Sequence, residues 1–495
     1  MTTTAHTTRH ALWIDGDWRT PAGSAEFAVS DPSTEQVVGS VPAATAADVD
    51  RAVAAAAAAF PRWSTTPLSQ RIQALAALLD GLRKRAEVFT ETLSLEVGAP
   101  LTVARFLQFG FAVDTVRSYL DLLPGHRFEE RLGSSLVLRE PTGVVACITP
   151  WNLPLALIVQ KVVPALAAGC TVVLKPSEIT PLNAFLLADV LAECDLPPGV
   201  FNLLSGDGPT VGEALAAHPG VDMVTLTGST RAGRRVAEVA ARTVKRVHLE
   251  LGGKSANIIL DDADLEQCVR IGVDQISLNS GQTCLAWSRM FVPRARHDEA
   301  AALAAKFADG YRVGDPRDPE TAVGPLVSEA ALQRVRRYVE LGREEGADLV
   351  AGGPDRPSDL ERGHYIRPTV FANVRNDMTI AREEIFGPVL SIIAYEDADD
   401  AVRMANESDY GLHGAVWSAS DARALEVARR VRTGQVDVNG APLNFTAPFG
   451  GFKQSGFGRQ CGPHGLGEFL ELKAIQLPHG AAEGEIQGAI RLTGH

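Results

Sequence analysis

The sequence predicts an α/β fold built on parallel sheets. From about residue 141 onward, short runs rich in β-branched residues alternate with longer runs of helical pattern, which is typical of βαβ units. The chain has 495 residues, more than one hydrophobic core usually supports, so we expect two or three domains. Hydrophobic residues make up 45% and charged residues 22%, which are ordinary values for a globular protein and exclude a fibrous or disordered chain.

The predicted βαβ series begins with GVVACITP, a strand that runs into a turn. PLALIVQKVVPALAAG follows as a helix that ends at Gly169, and CTVVLKPS is the next strand. TPLNAFLLADVLAECDLPPG is predicted to be a helix with Pro181 near its first turn and a stop at Pro197. VDMVTLTGSTRAGRRVAEVAAR repeats the pattern of strand, glycine turn and helix. A second series begins near SANIILDDADLEQCVRIGVDQI, so we expect a domain seam at Leu251 to Lys254.

Three segments outside this series also have readable patterns. TAADVD begins a helix with acidic residues in its first turn, and GHRFEERLGSSLVLREPTG has the alternation of a β-hairpin that could form an arm. The tail after Lys473 is polar and rich in glycine and alanine, so we expect part of it to be loose.

Charge and cysteine content exclude several classes of protein. A net charge of -13 disfavours nucleic acid and anionic lipid as main partners. The longest apolar run is broken by Lys161 and Pro164, so it is not a membrane span. The start MTTTAHTTRHALW lacks the apolar segment of a secretory signal, so we expect a reducing cytoplasm. With no CxxC pair or HExxH motif, we expect no disulfide framework and no metal; the six cysteines are Cys147, Cys170, Cys194, Cys268, Cys284 and Cys461.

Cys284 is the candidate nucleophile. It lies in NSGQTCLAWSRM, in a polar Gly-Gln-Thr setting where a helix could begin. A thiol is inert when it is buried among apolar groups, and it becomes nucleophilic when backbone dipoles or positive charge lower its pKa and it stays reachable. Cys147 and Cys170 lie in apolar runs, and Cys194 and Cys268 lie in helical segments, so we expect these four to be structural.

Two other motifs carry groups that would complement a thiolate. Asn152 in PWNLP lies between a predicted strand and a helix, and its amide would suit an oxyanion formed when a thiolate adds to a carbonyl. The alternative is that Asn152 caps the helix that starts near Pro154. Glu250 in LELGGKS lies beside a Gly-Gly turn at the expected seam, where a carboxylate is a candidate general base or else a solvated residue.

Further motifs follow predicted strands and could hold a ligand. Lys175 and Glu178 in LKPSE could bind hydroxyl groups, or form a surface charge pair. In LTGSTRAG, free backbone N–H groups and the Ser229 hydroxyl would face a bound phosphate, although its glycines do not form GxGxxG. GDGPTVG, from Gly206, nearly matches that fingerprint but is predicted to be a loop. The glycine-rich loops EEIFGP and APFGGFKQSGFG are of the kind that shape a site or an interface.

Taken together and in this order, PWNLP, KPSE, TGST, ELGGK, GQTC, EEIFGP and PFGGFKQSG resemble the aldehyde dehydrogenase superfamily. The resemblance runs from about residue 12 to 476, and the ordered set of motifs is highly specific. It implies a Rossmann-like NAD(P)-binding domain, a catalytic α/β domain and a small β arm that builds dimers or tetramers. On this chain the implied parts are an NAD-binding domain at 1–122 and 142–252, a catalytic domain at 253–455, and an oligomerisation arm and strand at 123–141 and 470–480.

The resemblance also implies roles for individual residues. Cys284 would be the nucleophile, Glu250 the general base and Asn152 the oxyanion donor, with Lys161 completing the catalytic set. The implied substrate pocket contains Leu278, Leu285, Trp287 and Phe445, with Trp287 as a core residue in the alternative. The implied cofactor-binding residues are Thr149, Pro150, Trp151, Lys175, Ser177, Glu178, Gly208, Gly212, Thr227, Gly228, Ser229, Leu251, Gly252, Glu384 and Phe386.

These roles fit one reaction, the oxidation of an aldehyde to its acid. Thiolate addition gives an alkoxide, hydride passes to the nicotinamide and leaves a thioester, and water activated by Glu250 releases the acid. A Glu178 carboxylate that accepts from the ribose 2'-hydroxyl would repel a 2'-phosphate, so NAD is favoured over NADP, with Lys175 as a partial offset. The apolar pocket residues favour an apolar or aromatic aldehyde over a carboxylated one.

Three departures from common members of the superfamily concern the later steps and the substrate channel. Many hydrolytic relatives carry a glutamate after GFGR, thought to relay protons, where this chain has Gln460. The loop from Asn439 to Pro448 is a residue shorter than usual, and position 287 is tryptophan where many relatives have a small residue. The alternatives are a CoA-acylating dehydrogenase, against which Glu250 argues, and a non-catalytic descendant that keeps the fold.

Overall fold

The computed structural model describes residues 8–478, and the predicted tail beyond this range lies outside the described residues. The helices are α1 (Ala46–Trp63), α2 (Leu68–Lys84), α3 (Ala86–Val97), α4 (Leu101–Val103), α5 (Gly110–Leu122), α6 (Pro154–Ala168), α7 (Leu182–Leu191), α8 (Glu213–Ala217), α9 (Thr230–Ala240), α10 (Leu265–Ser277), α11 (His297–Asp309), α12 (Glu329–Glu344), α13 (Thr379–Arg382), α14 (Ala398–Asn406), α15 (Asp421–Ala428) and α16 (Gly462–Gly467).

The strands are β1 (Leu12–Ile14), β2 (Asp17–Arg19), β3 (Glu26–Asp31), β4 (Gln36–Pro42), β5 (Glu129–Leu132), β6 (Ser135–Pro141), β7 (Val144–Ile148), β8 (Thr171–Lys175), β9 (Phe201–Leu203), β10 (Met223–Thr227), β11 (Arg246–Glu250), β12 (Ala256–Ile259), β13 (Arg289–Pro293), β14 (Asp348–Ala351), β15 (Thr369–Ala372), β16 (Val389–Tyr395), β17 (Tyr410–Gly411), β18 (Gly414–Trp417), β19 (Asp437–Val438), β20 (Phe452–Lys453), β21 (Gly456–Phe457) and β22 (Leu470–Gln476).

Sheet I contains eight of the described strands, in the order β2-β1-β9-β8-β7-β10-β11-β21. The five strands from β9 to β11 in that order are parallel. The chain moves outward from β7 to β9 on one side and then returns to place β10 and β11 on the other side. The strand order therefore reverses between β7 and β10, and doubly wound sheets bind ligands at the carboxyl ends of the strands beside such a reversal.

Helices cover both faces of sheet I because successive side chains of each strand point to opposite faces. Val145 and Cys147 of β7 join a core formed with α2, α5, α6 and α7. Ala146 and Ile148 of the same strand join a core formed with α1 and α9. This layering confirms the predicted α/β class, and its uninterrupted apolar strands are typical of a buried parallel sheet.

Sheet II contains seven of the described strands, in the order β14-β15-β16-β13-β12-β18-β19, and all but β14 run parallel. Its two faces pack against separate cores, one with α10 and α11 and the other with α12 to α15. Residues 251–255 join β11 of sheet I to β12 of sheet II. The carboxyl edge of sheet I therefore leads directly to the amino edge of sheet II, while the exact domain limits stay a prediction.

The predicted hairpin is present as β5 and β6, and β22 pairs with β6 along its whole length to form the antiparallel sheet III. Its role as an oligomerisation arm stays a prediction. Among residues 8–478, none of the helices has both the length and the hydrophobicity that a membrane crossing requires.

Three local predictions were wrong. The helix expected to continue to Pro197 ends at Leu191, because a turn follows instead. GDGPTVG is a π-helical turn at Gly208–Gly212 that leads into α8, since the Asp207 side chain accepts a hydrogen bond from the Thr210 N–H and caps it. Cys284 does not begin a helix, because the backbone before it turns left-handed and breaks helical hydrogen bonding.

Candidate active site

Cys284 lies where the two large sheets meet. It belongs to the segment between the short 3₁₀ turn Leu278–Gly281 and β13, at the amino edge of sheet II. The link between the sheets packs directly against it, because a methyl group at Gly253 would lie 2.5 Å from the Cys284 carbonyl oxygen. Cys284 is only partly buried, whereas the other five cysteines are buried; four of them, Cys147, Cys170, Cys194 and Cys268, lie in the apolar and helical settings that predict this.

The backbone just before Cys284 is in an uncommon conformation. Asn279, Ser280 and Gly281 all have left-handed φ values, of 52°, 58° and 72°. A left-handed conformation costs a non-glycine residue about 1–2 kcal/mol, so it persists only where surrounding contacts hold it. Gly281 is required here, since a β-carbon at this position would lie 2.2 Å from the backbone carbon of Gly387.

Buried hydrogen bonds hold this strained segment. The Asn279 amide donates to the Asn152 carbonyl at 3.1 Å and accepts from the Gln108 amide at 3.2 Å. Ser280 Oγ donates to the Gly324 carbonyl at 2.8 Å, and the Val327 N–H donates to the Gln282 side chain at 2.9 Å. These hydrogen bonds hold the segment that carries Cys284, and we call residues 279–284 the nucleophile loop after the predicted role of Cys284.

Asn152 connects this loop to sheet I. It follows the end of β7, is 3% exposed, and its amide donates to the Gln282 carbonyl at 2.9 Å. The alternative of a helix cap is wrong, because the N-cap of α6 is Leu153 and no side chain caps that helix. The carboxamide nitrogen lies at the loop that carries Cys284 and has a second N–H to donate.

Glu250 is the last residue of β11, and it is 3% exposed. Burial raises the pKa of its carboxyl to about 8, although the positive charges of Lys161 and Arg459 act in the opposite direction. Its Oε1 atom has no hydrogen-bond partner among the described residues. The glycine at 450 is needed for this placement, because a β-carbon there would lie 2.7 Å from Glu250 Oε1.

Lys161 is fully buried on α6, beneath the same face of sheet I as Glu250. Its Nζ donates to Thr225 Oγ1 at 3.1 Å. Burial lowers the pKa of Lys161 to about 8, while the charges of Glu250 and Cys147 act to raise it. Burial therefore shifts the pKa values of Lys161 and Glu250 toward each other from opposite directions, and the charge of each group favours the charged form of the other.

The Cys284 thiol is not pre-ionised, contrary to the expectation for a nucleophile. Burial and the charges of Glu250 and Glu384 raise its pKa to about 12, and the backbone N–H groups of Cys284 and Leu285 act in the opposite direction. The thiol therefore needs a base or a nearby positive charge before it can react.

The motifs predicted to bind a cofactor gather at the carboxyl edge of sheet I, beside the reversal of strand order. Lys175 ends β8, and its Nζ donates to the Gly206 carbonyl at 2.5 Å and lies 3.6 Å from the Glu178 carboxylate. Ser229 caps α9 by accepting from the Ala232 N–H at 3.2 Å. Predicted cofactor residues lie at the carboxyl ends of three strands. Thr149, Pro150 and Trp151 follow β7; Lys175, Ser177 and Glu178 lie at or after the end of β8; and Thr227, Gly228 and Ser229 lie at or after the end of β10.

Glu384 and Phe386 approach this edge from sheet II. The Glu384 carboxylate accepts from the Gly253 N–H at 3.0 Å, and a β-carbon at Gly252 would lie 2.4 Å from it. Phe386 has a φ of 64° and packs edge-on against Trp151, with 5.3 Å between the ring centres. Gly208 and Gly212 begin and end the π-helical turn, and a β-carbon at Gly212 would touch the Lys175 side chain at 3.9 Å.

The predicted pocket residues fall into two groups. Leu278, Leu285 and Phe445 are partly buried, and Phe445 packs edge-on against Phe111 at 4.6 Å. Trp287 is 2% exposed, and its Nε1 donates to His413 Nδ1 at 2.9 Å within the core beneath sheet II. The position of Trp287 favours the core alternative.

Sequence reasoning missed several residues that build the site. Asn279 and Ser280 were not predicted to be site residues, although an Asn-Ser-Gly run favours left-handed backbone. Phe111 gave no signal, because it comes from a distant helix. Among the described residues there is no cluster of three or more His, Cys, Asp or Glu side chains that could hold a metal ion.

Comparisons with known proteins agree with this arrangement. The model of the aldehyde dehydrogenase family matches residues 18–475. A 3-succinoylsemialdehyde-pyridine dehydrogenase of Pseudomonas is 51% identical over 94% of this chain and 98% of its own length. A geranial dehydrogenase of Castellaniella defragrans is 45% identical over the same shares of the two chains.

Solved structures are equally similar. Aldehyde dehydrogenase C of Pseudomonas syringae, in complex with NAD+ and octanal, has a TM-score of 0.94 at 49% identity and covers 96% of this chain and 99% of its own. An aldehyde dehydrogenase of Mycobacterium tuberculosis in complex with NAD+ has a TM-score of 0.94 at 44% identity, covering 97% and 100%.

Proposed function

Because the chain belongs to the aldehyde dehydrogenase family, we propose that it oxidises an aldehyde to the free carboxylic acid with NAD, through a thioester on Cys284. One observation carries this proposal: the Cys284 loop, the Asn152 amide and the Glu250 carboxylate meet where the carboxyl edge of sheet I faces the amino edge of sheet II. The direct test is to mix the enzyme with NAD and an aldehyde, follow NADH by its absorbance and identify the acid formed.

The residues at the carboxyl edge of sheet I suit NAD. The free N–H groups at the start of α9, next to Gly228 and Ser229, favour a phosphate. The Glu178 carboxylate is partly exposed beside the buried Lys175 and suits ribose hydroxyls. NAD, when bound, supplies the acceptor for hydride.

Cys284 and Asn152 carry out acylation, in which the aldehyde becomes a thioester on Cys284. The Cys284 thiolate adds to the aldehyde carbon, and the negative charge that develops on oxygen is stabilised by the second Asn152 N–H and the Cys284 backbone N–H. Because the thiol pKa is raised to about 12, Glu250 takes its proton before or during attack. Departure of hydride from the same carbon leaves a thioester.

Glu250 also serves hydrolysis. A carboxylate whose pKa lies near 8 is close to neutrality, which is where a general base works best. After the proton taken from Cys284 has left Glu250, the carboxylate removes a proton from water as the water oxygen attacks the thioester carbon, and Cys284 leaves as the thiolate. Gln460 is buried and has no partner for its amide among the described residues, and it has no acidic proton to pass on.

NAD is proposed over NADP because of Glu178. A carboxylate beside the ribose would repel a 2'-phosphate, while Lys175 is engaged by carbonyls and is less available to attract it. Glu178→Ser should narrow the ratio of kcat/KM for NAD over NADP, and Glu238→Ser, which removes an exposed carboxylate on α9, is the control that should leave this ratio unchanged. An unaltered ratio in Glu178→Ser would overturn the assignment.

The substrate we propose is an apolar or aromatic aldehyde. Phe445 packs against Phe111, which lies in an apolar cluster with Leu107 and Leu157. We propose that these apolar side chains line the path of the aldehyde to Cys284. The names of the relatives fit this, since geranial and octanal are apolar aldehydes and the pyridine compound is aromatic. A panel of aliphatic, aryl and carboxylated aldehydes tests it, and a preference for succinic semialdehyde would contradict it.

Two alternatives are separated by the same assays. A CoA-acylating enzyme would form acyl-CoA and would not need a water-activating Glu250, so the identity of the product decides. A non-catalytic descendant would neither bind NAD nor allow alkylation of Cys284. The presence of Cys284, Glu250, Asn152 and Lys175 together at the site argues against it.

We further propose a homodimer or homotetramer assembled through sheet III, in the cytoplasm. Sheet III exposes large apolar side chains on antiparallel strands, among them Leu132, Leu472 and Ile475. Six free cysteines suit a reducing compartment. Light scattering of the protein, with Leu472→Glu as the disrupting variant, tests the assembly.

A further inference from the structure

A line of buried polar groups crosses the face of sheet I between Lys161 and Glu250. Thr225 on β10 and His248 on β11 are directly paired in the parallel register. Both side chains lie on the face covered by α6, since Val224, Leu226 and Leu249 point to the other core. Thr225 is fully buried and His248 is 1% exposed.

The distances make this line continuous. Lys161 Nζ lies 3.1 Å from Thr225 Oγ1, and Thr225 Oγ1 lies 3.1 Å from His248 Nδ1. His248 Nε2 lies 3.7 Å from Glu250 Oε1, just longer than a hydrogen bond. Neither of these last two atoms has another partner among the described residues, and catalytic contacts of this length commonly tighten when substrate binds.

Two hydrogen-bonding arrangements are compatible with transmission along this line. A charged Lys161 can only donate, and Thr225 Oγ1, which accepts from it, keeps its own proton to donate to His248 Nδ1. In this arrangement the imidazole proton is on Nε2 and faces the Glu250 carboxylate. When Lys161 is the neutral amine, Thr225 donates to it and accepts from a protonated His248 Nδ1, so that Nε2 is an acceptor that faces Glu250.

We propose that Thr225 and His248 carry a proton between Glu250 and Lys161 during hydrolysis of the thioester. Glu250 takes a proton from the attacking water and passes it to His248 Nε2. The Nδ1 proton moves to Thr225 Oγ1, and the Thr225 hydroxyl proton moves to the Lys161 amine. Three protons shift by one place, Glu250 becomes a carboxylate again, and Lys161 becomes an ammonium.

The charges around the line suit this exchange. Burial brings the pKa of both Lys161 and Glu250 to about 8, so a proton can pass between them at little cost. Burial lowers the pKa of His248 well below its usual value, helped by Lys161 and Arg459, so the imidazole transmits a proton without storing it. Glu468 and Cys147 are the other groups whose charges act on this pair.

The geometry around His248 shows that the site is built for an imidazole. Gly458 has a φ of 87°, and a β-carbon there would lie 2.3 Å from His248 Cδ2. The line gives this chain a route for the Glu250 proton that does not use Gln460. Thr225 and His248 act through Glu250, so they are positioning residues and do not touch the substrate.

The test rests on the proposed function and uses the full-length enzyme. Thr225→Val removes the hydroxyl without changing the shape, and His248→Asn keeps a group near Nδ1 but has none that reaches Glu250. Thr225→Ser restores the hydroxyl. Thr171→Val is the matched control, because Thr171 is equally buried on β8 and its hydroxyl has no partner among the described residues.

The measurement is a single turnover, quenched at intervals, in which intact mass counts the acylated subunits and absorbance counts NADH. We expect Thr225→Val and His248→Asn to form NADH at the wild-type rate but to lose the acyl group about ten- to a hundredfold more slowly. The break near pH 8 in the deacylation profile should remain, because Glu250, whose pKa is raised to about 8, is unchanged in both variants. Thr225→Ser should recover most of the rate, and Thr171→Val should match the wild type.

Deacylation at the wild-type rate in Thr225→Val would overturn the relay while leaving the proposed function intact. Parallel loss of NADH formation and deacylation, or an equal loss in Thr171→Val, would also overturn it, because either result indicates a structural role. A wild-type enzyme that forms no NADH with any aldehyde would overturn the proposed function itself, and the relay with it.

Discussion

The sheet I side and the sheet II side of the active site hold their functional groups in different ways. On the sheet I side, Glu250 and Lys161 are buried ionisable groups, with pKa values that burial moves to about 8 from opposite directions. On the sheet II side, the nucleophile loop is held by neutral amide and hydroxyl groups bonded to backbone carbonyls. Its backbone is strained at Asn279 and Ser280, with φ values of 52° and 58°.

The two sides of the active site meet two different requirements of the reaction: the sheet I side allows protons to move, and the sheet II side keeps the nucleophile in place. Protons must move, and a pair of groups with close pKa values allows this at little cost in free energy. The sulfur must stay in place relative to the aldehyde, and misplacement by about an ångström can slow a reaction by about a hundredfold. Neutral hydrogen bonds keep a fixed geometry across the working pH range, so proton transfer on one side does not disturb position on the other.

The largest expected effect is the removal of the nucleophile from the sheet II side. Cys284→Ala should lower kcat by about 10⁴-fold or more, since loss of a nucleophile has effects of this size in other enzymes. Stability should change little, because Cys284 is only partly buried and side chains other than its own hold the loop. NADH formation and thermal unfolding measure the two quantities.

Cys194→Ala is the matched control for Cys284→Ala. Cys194 is buried in the core beside sheet I, and burial raises its pKa to about 11, so its loss should affect packing and leave most of the activity. If Cys284→Ala kept substantial activity while Cys194→Ala lost it, the assignment of the nucleophile would be wrong.

The next largest effect concerns Asn152, which connects the two sides. Asn152→Ala should lower kcat by about 10²- to 10³-fold, as removal of one oxyanion donor does elsewhere. Loss of the contact to the Gln282 carbonyl should also let the loop move. Asn183→Ala, which removes a buried amide on α7 that donates to the Glu96 carboxylate, is the control that should lower stability and leave kcat nearly unchanged. Equal kcat values for the two variants would contradict the donor role.

Sequence patterns predicted most of the strands and site residues on the sheet I side, but few of the contacts that hold the site on the sheet II side. β7, β8 and β10 with their following turns were readable, because a parallel sheet needs apolar runs and its ligands lie where those runs end. The pairing of Thr225 with His248 could not be predicted from the sequence, since the register between strands is set by packing in space. The strained loop was missed because its hydrogen bonds come from Gln108, Gly324 and Val327, which are remote in the sequence.

The same limit explains why the state of the thiol was not predicted. A polar Gly-Gln-Thr context suggested a lowered pKa for Cys284. The raised pKa comes first from burial and then from the charges of Glu250 and Glu384, which lie on other elements. Local sequence contains no information on carboxylates that the fold brings close.

The state of the thiol can be measured in the absence of cofactor. Because the thiolate is the reactive form and the Cys284 pKa is raised to about 12, alkylation by iodoacetamide should be slow at pH 7. The rate should rise about tenfold per pH unit from pH 7 to 8, as expected well below a pKa. Above pH 8 it should rise less steeply, since ionisation of Glu250 adds a negative charge that raises the thiol pKa further.

Glu250→Gln removes that charge and should give a line of constant slope across pH 8. Labelling of Cys284→Ala measures the contribution of the other cysteines. A wild-type rate that levels off below pH 8 would mean that the thiol is already ionised and that the carboxylates do not control it.

The smallest expected effects compare two neighbours on the sheet II side, Leu285 and Trp287. Trp287→Phe keeps most of the buried ring but loses the hydrogen bond to His413, so it should lower the free energy of unfolding by about 1–2 kcal/mol. Aldehyde preference should not change, because the side chain is 2% exposed within the core. Leu285 is partly buried against Leu412 and Phe449, beside Cys284. Leu285→Ala should therefore change the KM for large aldehydes more than it changes stability.

Urea unfolding and the aldehyde panel give both quantities for both variants. The comparison is decisive because the two residues are two positions apart on one segment, yet one faces the core and the other faces the site. A change in aldehyde preference in Trp287→Phe without loss of stability would return Trp287 to the substrate pocket. That result would also mean that the core beneath sheet II rearranges to fit the substrate. A fixed core on the sheet II side could then not be what holds Cys284 in position.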